Sequence, residues 1–209
     1  PIRIRPGMYI GSTGSKGLHH CIWEILDNSI DEISNGFGSR AAVFLNDDGS
    51  VTVEDNGRGI PTGVHPVKKK TGVEMVFTEL HTGGKFNNNV YKTSGGLHGV
   101  GAAVVNALSR WMEVEVKQNG HVYRQRFEYA YDKSLKKNMP GTPVTELQAV
   151  GNSESTGTKV TFMPDERVFS TVEFKPDVIE ERLRELAFQN KGITLKLVSG
   201  LRGNEMQRE

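Results

Sequence analysis

Glycine in this chain is concentrated at the junctions between regular elements, and that placement constrains the fold more than any other feature. One cluster, Asp55-Asn56-Gly57-Arg58-Gly59-Ile60-Pro61, directly follows a predicted strand. A second, Ser94-Gly95-Gly96-Leu97-His98-Gly99-Val100-Gly101, directly precedes a predicted helix. A third, Thr156-Gly157-Thr158, leads into a strand. In total 24 of 209 residues are glycine, where about 7% is usual. Glycine lets a backbone turn or approach a neighbour where a side chain would not fit.

The elements between the clusters follow from periodicity. Leu18 to Asn35 reads as a helix, with Leu18, Ile22, Ile25, Leu26, Ile30 and Ile33 on one face and Glu24, Asn28 and Asp31 on the opposite stripe. Gly36 sits where such a helix ends. Ala41–Leu45 and Val51–Asp55 read as strands joined at Asn46-Asp47-Asp48-Gly49. Val73–Thr82 and Val100–Ser109 read as short helices. Trp111–Lys117 and His121–Glu128 alternate in period two around Asn119-Gly120, a two-residue hairpin signal. Tyr131 to Thr156 is polar and reads as strand fragments with surface loop. Lys159–Met163 is a strand, Pro176–Asn190 a helix with proline in its first turn, and Ile193–Val198 a last strand. Hairpins and helices mix without regular alternation. The expected class is α+β: a two-layer sandwich of a mixed, mostly antiparallel sheet with helices on one face.

Length fits one domain, 1–209, with enough chain to bury a core without disulfides. Twenty-six basic and 25 acidic side chains leave a net charge of +1. That excludes a wholesale polycation and gives no global footprint for nucleic acid or membrane. No apolar run is long enough for a spanning helix, and no leader opens the chain. The single cysteine, Cys21, cannot form an intrachain disulfide, which fits a reducing, cytoplasmic compartment. The six histidines show no zinc spacing. Both ends read as cut from something larger, and no internal repeat is present.

Taken singly, each motif leaves two readings open. Glycines before a helix form a phosphate cradle or a flexible loop. The pattern is neither a P-loop nor a dinucleotide fingerprint. Asp55 accepts from a base amine beside a glycine that admits a flat ring, or it caps a tight turn. Glu24 is a general base and Asn28 a metal ligand, or both belong to a solvated face. His20, one turn before Glu24, could orient that carboxylate; His19 reads as a structural histidine. Lys68-Lys69-Lys70 reads as a solvated loop, the alternative being a DNA-binding patch.

Together the motifs resemble a known group. Glu24-x-x-x-Asn28-x-x-Asp31, Asp55-x-Gly57-x-Gly59, Gly96-x-x-Gly99-x-Gly101 and Thr156-Gly157-Thr158 occur in the order of the GHKL ATPases. Arg5-Pro6-Gly7-Met8-Tyr9-Ile10-Gly11, Gly17-Leu18-His19-His20, Asp55-x-Gly57-Arg58-Gly59-Ile60-Pro61, His81-x-Gly83-Gly84-Lys85-Phe86 and Tyr91-Lys92-x-Ser94-Gly95-Gly96-Leu97-His98-Gly99-Val100-Gly101 are similar to the ATPase domain of bacterial type IIA topoisomerase B subunits. These are the B subunits of DNA gyrase and topoisomerase IV. The resemblance runs from Arg3 to about Val198.

It implies ATP and Mg²⁺ as cofactors. Glu24 would activate the attacking water, assisted by His20, and Asn28 would ligate Mg²⁺. Asp55 would accept from the adenine amine, with Gly59 and Thr158 completing that network and Ile60 among the apolar lining with Ile25, Val53, Val76 and Val160. Tyr91 would reach the adenine edge and Lys85 a phosphate. The backbone of Gly96, Leu97, His98, Gly99, Val100 and Gly101 would cradle phosphates, with about Gly83 to Gly99 as an ATP lid. Arg58 and Pro61 match a rim on which adenine-pocket inhibitors stack, with Glu32 beside Arg58. Coumarin-sensitive members carry an arginine at the position of Gln118, so ATP binding is implied here and coumarin binding is not.

The resemblance also implies a type II topoisomerase in which ATP binding drives dimerisation of the B subunits and DNA strand passage. Its partners would be the A-type DNA-cleaving subunit and DNA. This chain would lack the family's N-terminal arm and transducer domain, remain a monomer, and bind ATP with little turnover. Trp111 and Val160-Thr161-Phe162-Met163-Pro164-Asp165 are similar to topoisomerase IV subunits of Gram-positive bacteria; gyrase B is the alternative. More distant readings are a histidine-kinase-type phosphotransferase and a nucleotide-gated module that never hydrolyses ATP.

Overall fold

The computed structural model describes residues 2–80 and 100–200. After a 3₁₀ turn at Ile2–Ile4 come α1 (Gly7–Ile10), α2 (Ser15–Ser34), β1 (Arg40–Leu45), β2 (Val51–Asp55), α3 (Gly72–Thr78), α4 (Gly101–Leu108), β3 (Ser109–Gln118), β4 (His121–Asp132), β5 (Lys137–Pro143), β6 (Gln148–Asn152), β7 (Gly157–Pro164), α5 (Pro176–Gln189) and β8 (Thr194–Ser199). Among the described residues the eight strands form one sheet, ordered β5-β4-β3-β7-β2-β1-β8, with β6 also on β4. Every pairing is antiparallel except β1 with β8. The α+β two-layer expectation therefore holds.

Period-two burial explains the layering. Val43, Val53, Val160, Val114 and Phe127 turn inward and join one core with Leu18, Ile22, Ile25 and Leu26 of α2. Burying these side chains is worth roughly 1.5–3 kcal/mol each. The other face of the sheet carries a charge ladder in which Glu115 pairs with Lys159 at 2.6 Å and Arg124 at 2.7 Å. Helix α2 lies across β1, β2 and β7. It ends in a Schellman motif: Gly36 N–H donates to Ile33 O at 2.9 Å and Phe37 N–H to Glu32 O at 3.1 Å, with Gly36 at φ +89°.

The differences from the sequence reading are local. Helix α2 begins at Ser15, three residues before the first apolar position, and the third helix stops at Thr78. Helix α4 passes into β3 without a loop: Ser109 is already extended, and its Oγ donates back to Val105 O at 2.6 Å. The polar stretch after Tyr131 does hold strand fragments, β5 and β6, both on β4; Pro140 and Pro143 are tolerated in β5 because it lies at the sheet edge. The Asn119-Gly120 hairpin is present, with both residues at positive φ, 55° and 82°.

A buried carboxylate ties the start of the chain to α4. Asp165 is 1% exposed. It accepts from Arg3 Nη1 at 2.7 Å and Arg167 Nη2 at 2.7 Å, while Arg3 also donates to Ala107 O at 2.6 Å and Ser109 O at 2.9 Å. Arg3 thus caps the carbonyl end of α4 with positive charge. Burial pushes the Asp165 carboxyl up, but the Arg167 and Arg3 bonds more than offset this and hold it well below the usual carboxylate range. The stability it contributes is complete above the ordinary carboxyl value of about 3.9 and is lost as pH falls below it. Asp165→Ala, which removes the buried carboxylate that pairs with the part-buried Arg3, is expected to cost about 3 kcal/mol in urea unfolding at pH 7.

Candidate functional site

The floor of the site lies where β2 ends. Asp55 follows the inward-facing Val53 by two residues, so its side chain leaves the sheet on the helix side. Three donors meet its carboxylate: Ser29 Oγ on Oδ2 at 2.7 Å, and Gly57 N and Thr158 N on Oδ1 at 3.0 and 3.3 Å. Burial pushes the Asp55 carboxyl above its ordinary range, and the charge of Glu32 acts the same way. The three donors pull against both.

Glycine makes the adjoining loop possible. Gly59 sits at φ +85°, and a Cβ there would lie 2.9 Å from Val116 Cγ1 and 3.0 Å from Lys117 O. A Cβ on Gly57 would lie 2.4 Å from Glu32 Cγ. Ile60 and Val76 are partly buried against the core, while Ile25, Val53 and Val160 are buried in it.

The rim is a charged clamp. Glu32 Oε1 accepts from Arg58 N at 3.0 Å and Arg58 Nε at 2.8 Å, and Oε2 accepts from Nη2 at 3.0 Å. The Arg58 guanidinium lies 3.5 Å over the Phe37 ring. Gln118 reaches from the end of β3 to this loop, its Nε2 donating to Arg58 O and Gly59 O at 3.2 Å each, while its Oε1 accepts from Thr62 Oγ1 at 3.3 Å. Gln118 is thus a neutral brace for the glycine loop.

The second end of the site lies on the same helix. His20 Nε2 is 2.8 Å from Glu24 Oε1. That hydrogen bond holds the His20 pKa above its ordinary value. Glu24 Oε2 faces the start of α4, where a Cβ on Gly101 would lie 1.9 Å from it. Val100 precedes that first turn as its cap. The unpaired N–H groups of a helix start and their partial positive charge suit an anion such as phosphate. Asn28 is exposed one turn beyond Glu24. Glu24 and Ser29 stand five residues apart, about 7.5 Å along the helix, so α2 spaces the two ends.

The structure brings Glu24, His20, Gly101 and Val100 to one end and Asp55, Gly59 and the Thr158 backbone to the other, with Ile60 beside them. Lys85, Tyr91, Gly96, Leu97, His98 and Gly99 lie outside the described residues. Among the described residues no group of three or more His, Cys, Asp or Glu is placed to hold a metal, and no helix is long and apolar enough to cross a membrane. His19 is the structural histidine expected: Lys175 N donates to its Nε2 at 2.9 Å, so its Nδ1–H donates to Ser15 O at 2.7 Å. Lys68 pairs with Glu79, and Lys70 lies 3.8 Å from Glu74, as in a loop fastened to α3. Sequence reasoning missed Ser29. Its signal was a lone hydroxyl on the apolar stripe of α2, four residues after Ile25 and four before Ile33.

Known proteins are similar to this chain in sequence and in fold. Residues 13–168 match the family model described as histidine kinase-, DNA gyrase B- and HSP90-like ATPase. The chain is 56% identical over 198 residues to the B subunit of DNA topoisomerase 4 from Streptococcus pneumoniae, covering 94% of this chain and 29% of that protein. It is 50% identical over 205 residues to the B subunit of DNA gyrase from Thermotoga maritima, covering 98% and 30%. The chain therefore spans under a third of the length of these relatives. A solved structure, the 43K ATPase domain of Thermus thermophilus gyrase B in complex with an aminocoumarin, superposes with a TM-score of 0.82 at 41% identity, covering 98% of this chain and 49% of that one.

The His20–Glu24 contact makes a titration test. Because the folded His20 pKa is raised, the pair's contribution to stability is full below the ordinary value of about 6.5 and fades as pH rises through the folded value. Glu24→Gln is expected to lower the His20 pKa toward its ordinary value in an NMR titration. Gly101→Ala is expected to do the same by displacing the carboxylate.

Proposed function

The chain belongs to the histidine kinase-, DNA gyrase B- and HSP90-like ATPase family, and from that premise we propose that it is the ATP-binding domain of the B subunit of a bacterial type II topoisomerase. The observation that carries this reading is the Asp55 carboxylate. It is held by three donors beside a glycine whose Cβ would collide with Val116, and the same helix carries the His20–Glu24 pair.

Each residue then has a chemical task. Asp55 accepts from the exocyclic amine of adenine, and Gly59, whose Cβ would meet Val116 and Lys117, lets the adjoining loop pack against β3. Thr158 supports Asp55 through its backbone, and Ile60 helps line the ring. Glu24 is the base: His20 holds Oε1, leaving Oε2 directed at the start of α4 to take a proton from the attacking water. Val100 and Gly101 present backbone amides to the terminal phosphate, and Gly96, Leu97, His98 and Gly99 extend that cradle. Lys85 adds a point charge at the phosphates and Tyr91 an adenine contact. Asn28 fits an Mg²⁺ site: its amide oxygen is a hard ligand, exposed, one turn from Glu24, and this ion uses few protein oxygens and keeps several waters. When bound it would neutralise phosphate charge.

In the whole protein, ATP binding would drive dimerisation and DNA strand passage with an A-type DNA-cleaving subunit. Residues 1–209 form a single nucleotide-binding domain that is monomeric and turns over slowly alone. Topoisomerase IV is the favoured enzyme, supported by Trp111 and the run Val160-Thr161-Phe162-Met163-Pro164-Asp165, which are similar to such subunits of Gram-positive bacteria. Gyrase B is the alternative.

Calorimetric titration with a non-hydrolysable ATP analogue and Mg²⁺ tests the reading. Asp55→Ala is expected to weaken binding by about 1.5–3 kcal/mol through loss of a charge-assisted hydrogen bond. Glu24→Gln in the full-length protein is expected to keep nucleotide affinity within a few-fold and abolish hydrolysis. Unchanged binding by Asp55→Ala would refute the adenine site.

A further inference from the structure

We infer that Ser29 is a specificity-determining positioning residue: its hydroxyl, committed to Asp55 Oδ2, leaves that carboxylate one acceptor site and fixes its direction. The inference rests on the proposed adenine reading of Asp55.

Counting lone pairs gives the argument. An ionised carboxylate offers about four acceptor positions. On Asp55, Gly57 N and Thr158 N take both positions on Oδ1, and Ser29 Oγ takes one on Oδ2 at 2.7 Å. Among the described residues one position on Oδ2 remains, enough for a single N–H from a base. Ser29 is 5% exposed and lies among the apolar residues of α2, so few other partners compete for its hydroxyl.

The arrangement also excludes. A 6-oxo purine places an acceptor where adenine places a donor, so it meets the remaining lone pair of Asp55. The Ser29 hydroxyl, which could otherwise turn to donate to it, is already spent on the carboxylate. Without Ser29 the Asp55 side chain keeps its two backbone donors on Oδ1 but loses the bond that fixes the plane of Oδ2. The carboxylate can then rock, and the site admits a water or a tilted ring. A well-held polar group that would be left unpaired by the wrong ligand is what gives large discrimination.

The test compares ATP with inosine triphosphate, which differ at the 6-position, by calorimetry with Mg²⁺ on the wild-type chain, Ser29→Ala and Ser29→Thr. The wild type is expected to prefer ATP. Ser29→Ala is expected to narrow the ATP-to-inosine-triphosphate affinity ratio by about tenfold, the scale of one hydrogen bond to a charged group. Ser29→Thr, which keeps the hydroxyl, is expected to restore the ratio to within about twofold. A purely structural role would weaken both nucleotides together, so an unchanged ratio in Ser29→Ala overturns the inference, as does failure of Ser29→Thr to restore it. If the wild type itself fails to prefer ATP, the adenine reading of Asp55 falls first.

Discussion

The Asp55 carboxylate is fixed from three directions, and the three donors come from parts of the chain far apart in sequence. Ser29 belongs to the long helix, Gly57 to the loop after β2, and Thr158 to the start of β7. Holding a partly desolvated carboxylate at the end of a strand is costly unless its oxygens are satisfied. The fold satisfies them by laying α2 across β1, β2 and β7 and by placing Thr158 opposite Asp55 in register. The same helix then carries Glu24 about 7.5 Å from Ser29 along its axis, so one rigid element spaces both ends of the site.

The far end depends on α4. Its first residue must be small, because Gly101 lies against the Glu24 carboxylate. Its last turn is held by Arg3, which caps two carbonyls and joins the buried Asp165. A helix of eight residues is too short to be stable by itself. Its position is a product of these end contacts and of a core contact, in which Asn106 Nδ2 donates to Phe77 O at 2.8 Å and Gly141 O at 3.2 Å.

Much of this was legible in the sequence because it rests on local chemistry. The apolar stripe of α2, the Asn119-Gly120 hairpin and the glycine after β2 each have a steric or periodic cause, and each is found where periodicity puts it. The class of fold follows from the same signals. What sequence did not show is non-local. Ser29 looked like one more small residue until the sheet brought Asp55 beside it. The brace from Gln118 to the glycine loop depends on where β3 ends against that loop. The stretch after Tyr131 reads only as strand fragments, and their bounds and pairing with β4 depend on edge positions that tolerate proline and polar side chains. The roles proposed for Glu24, Asn28 and Asp55 could be named only because their order resembles a family, since singly each admits a structural explanation.

The central claim is that Asp55 contacts the base of a bound nucleotide. Carboxyl-detected ¹³C NMR of the aspartate side chains, titrated with a non-hydrolysable ATP analogue and Mg²⁺ and separately with inorganic tripolyphosphate, tests it most directly. The expected result is a saturable shift of the Asp55 resonance with the nucleotide and none with tripolyphosphate. Saturable nucleotide binding that leaves the Asp55 resonance unmoved would contradict the account.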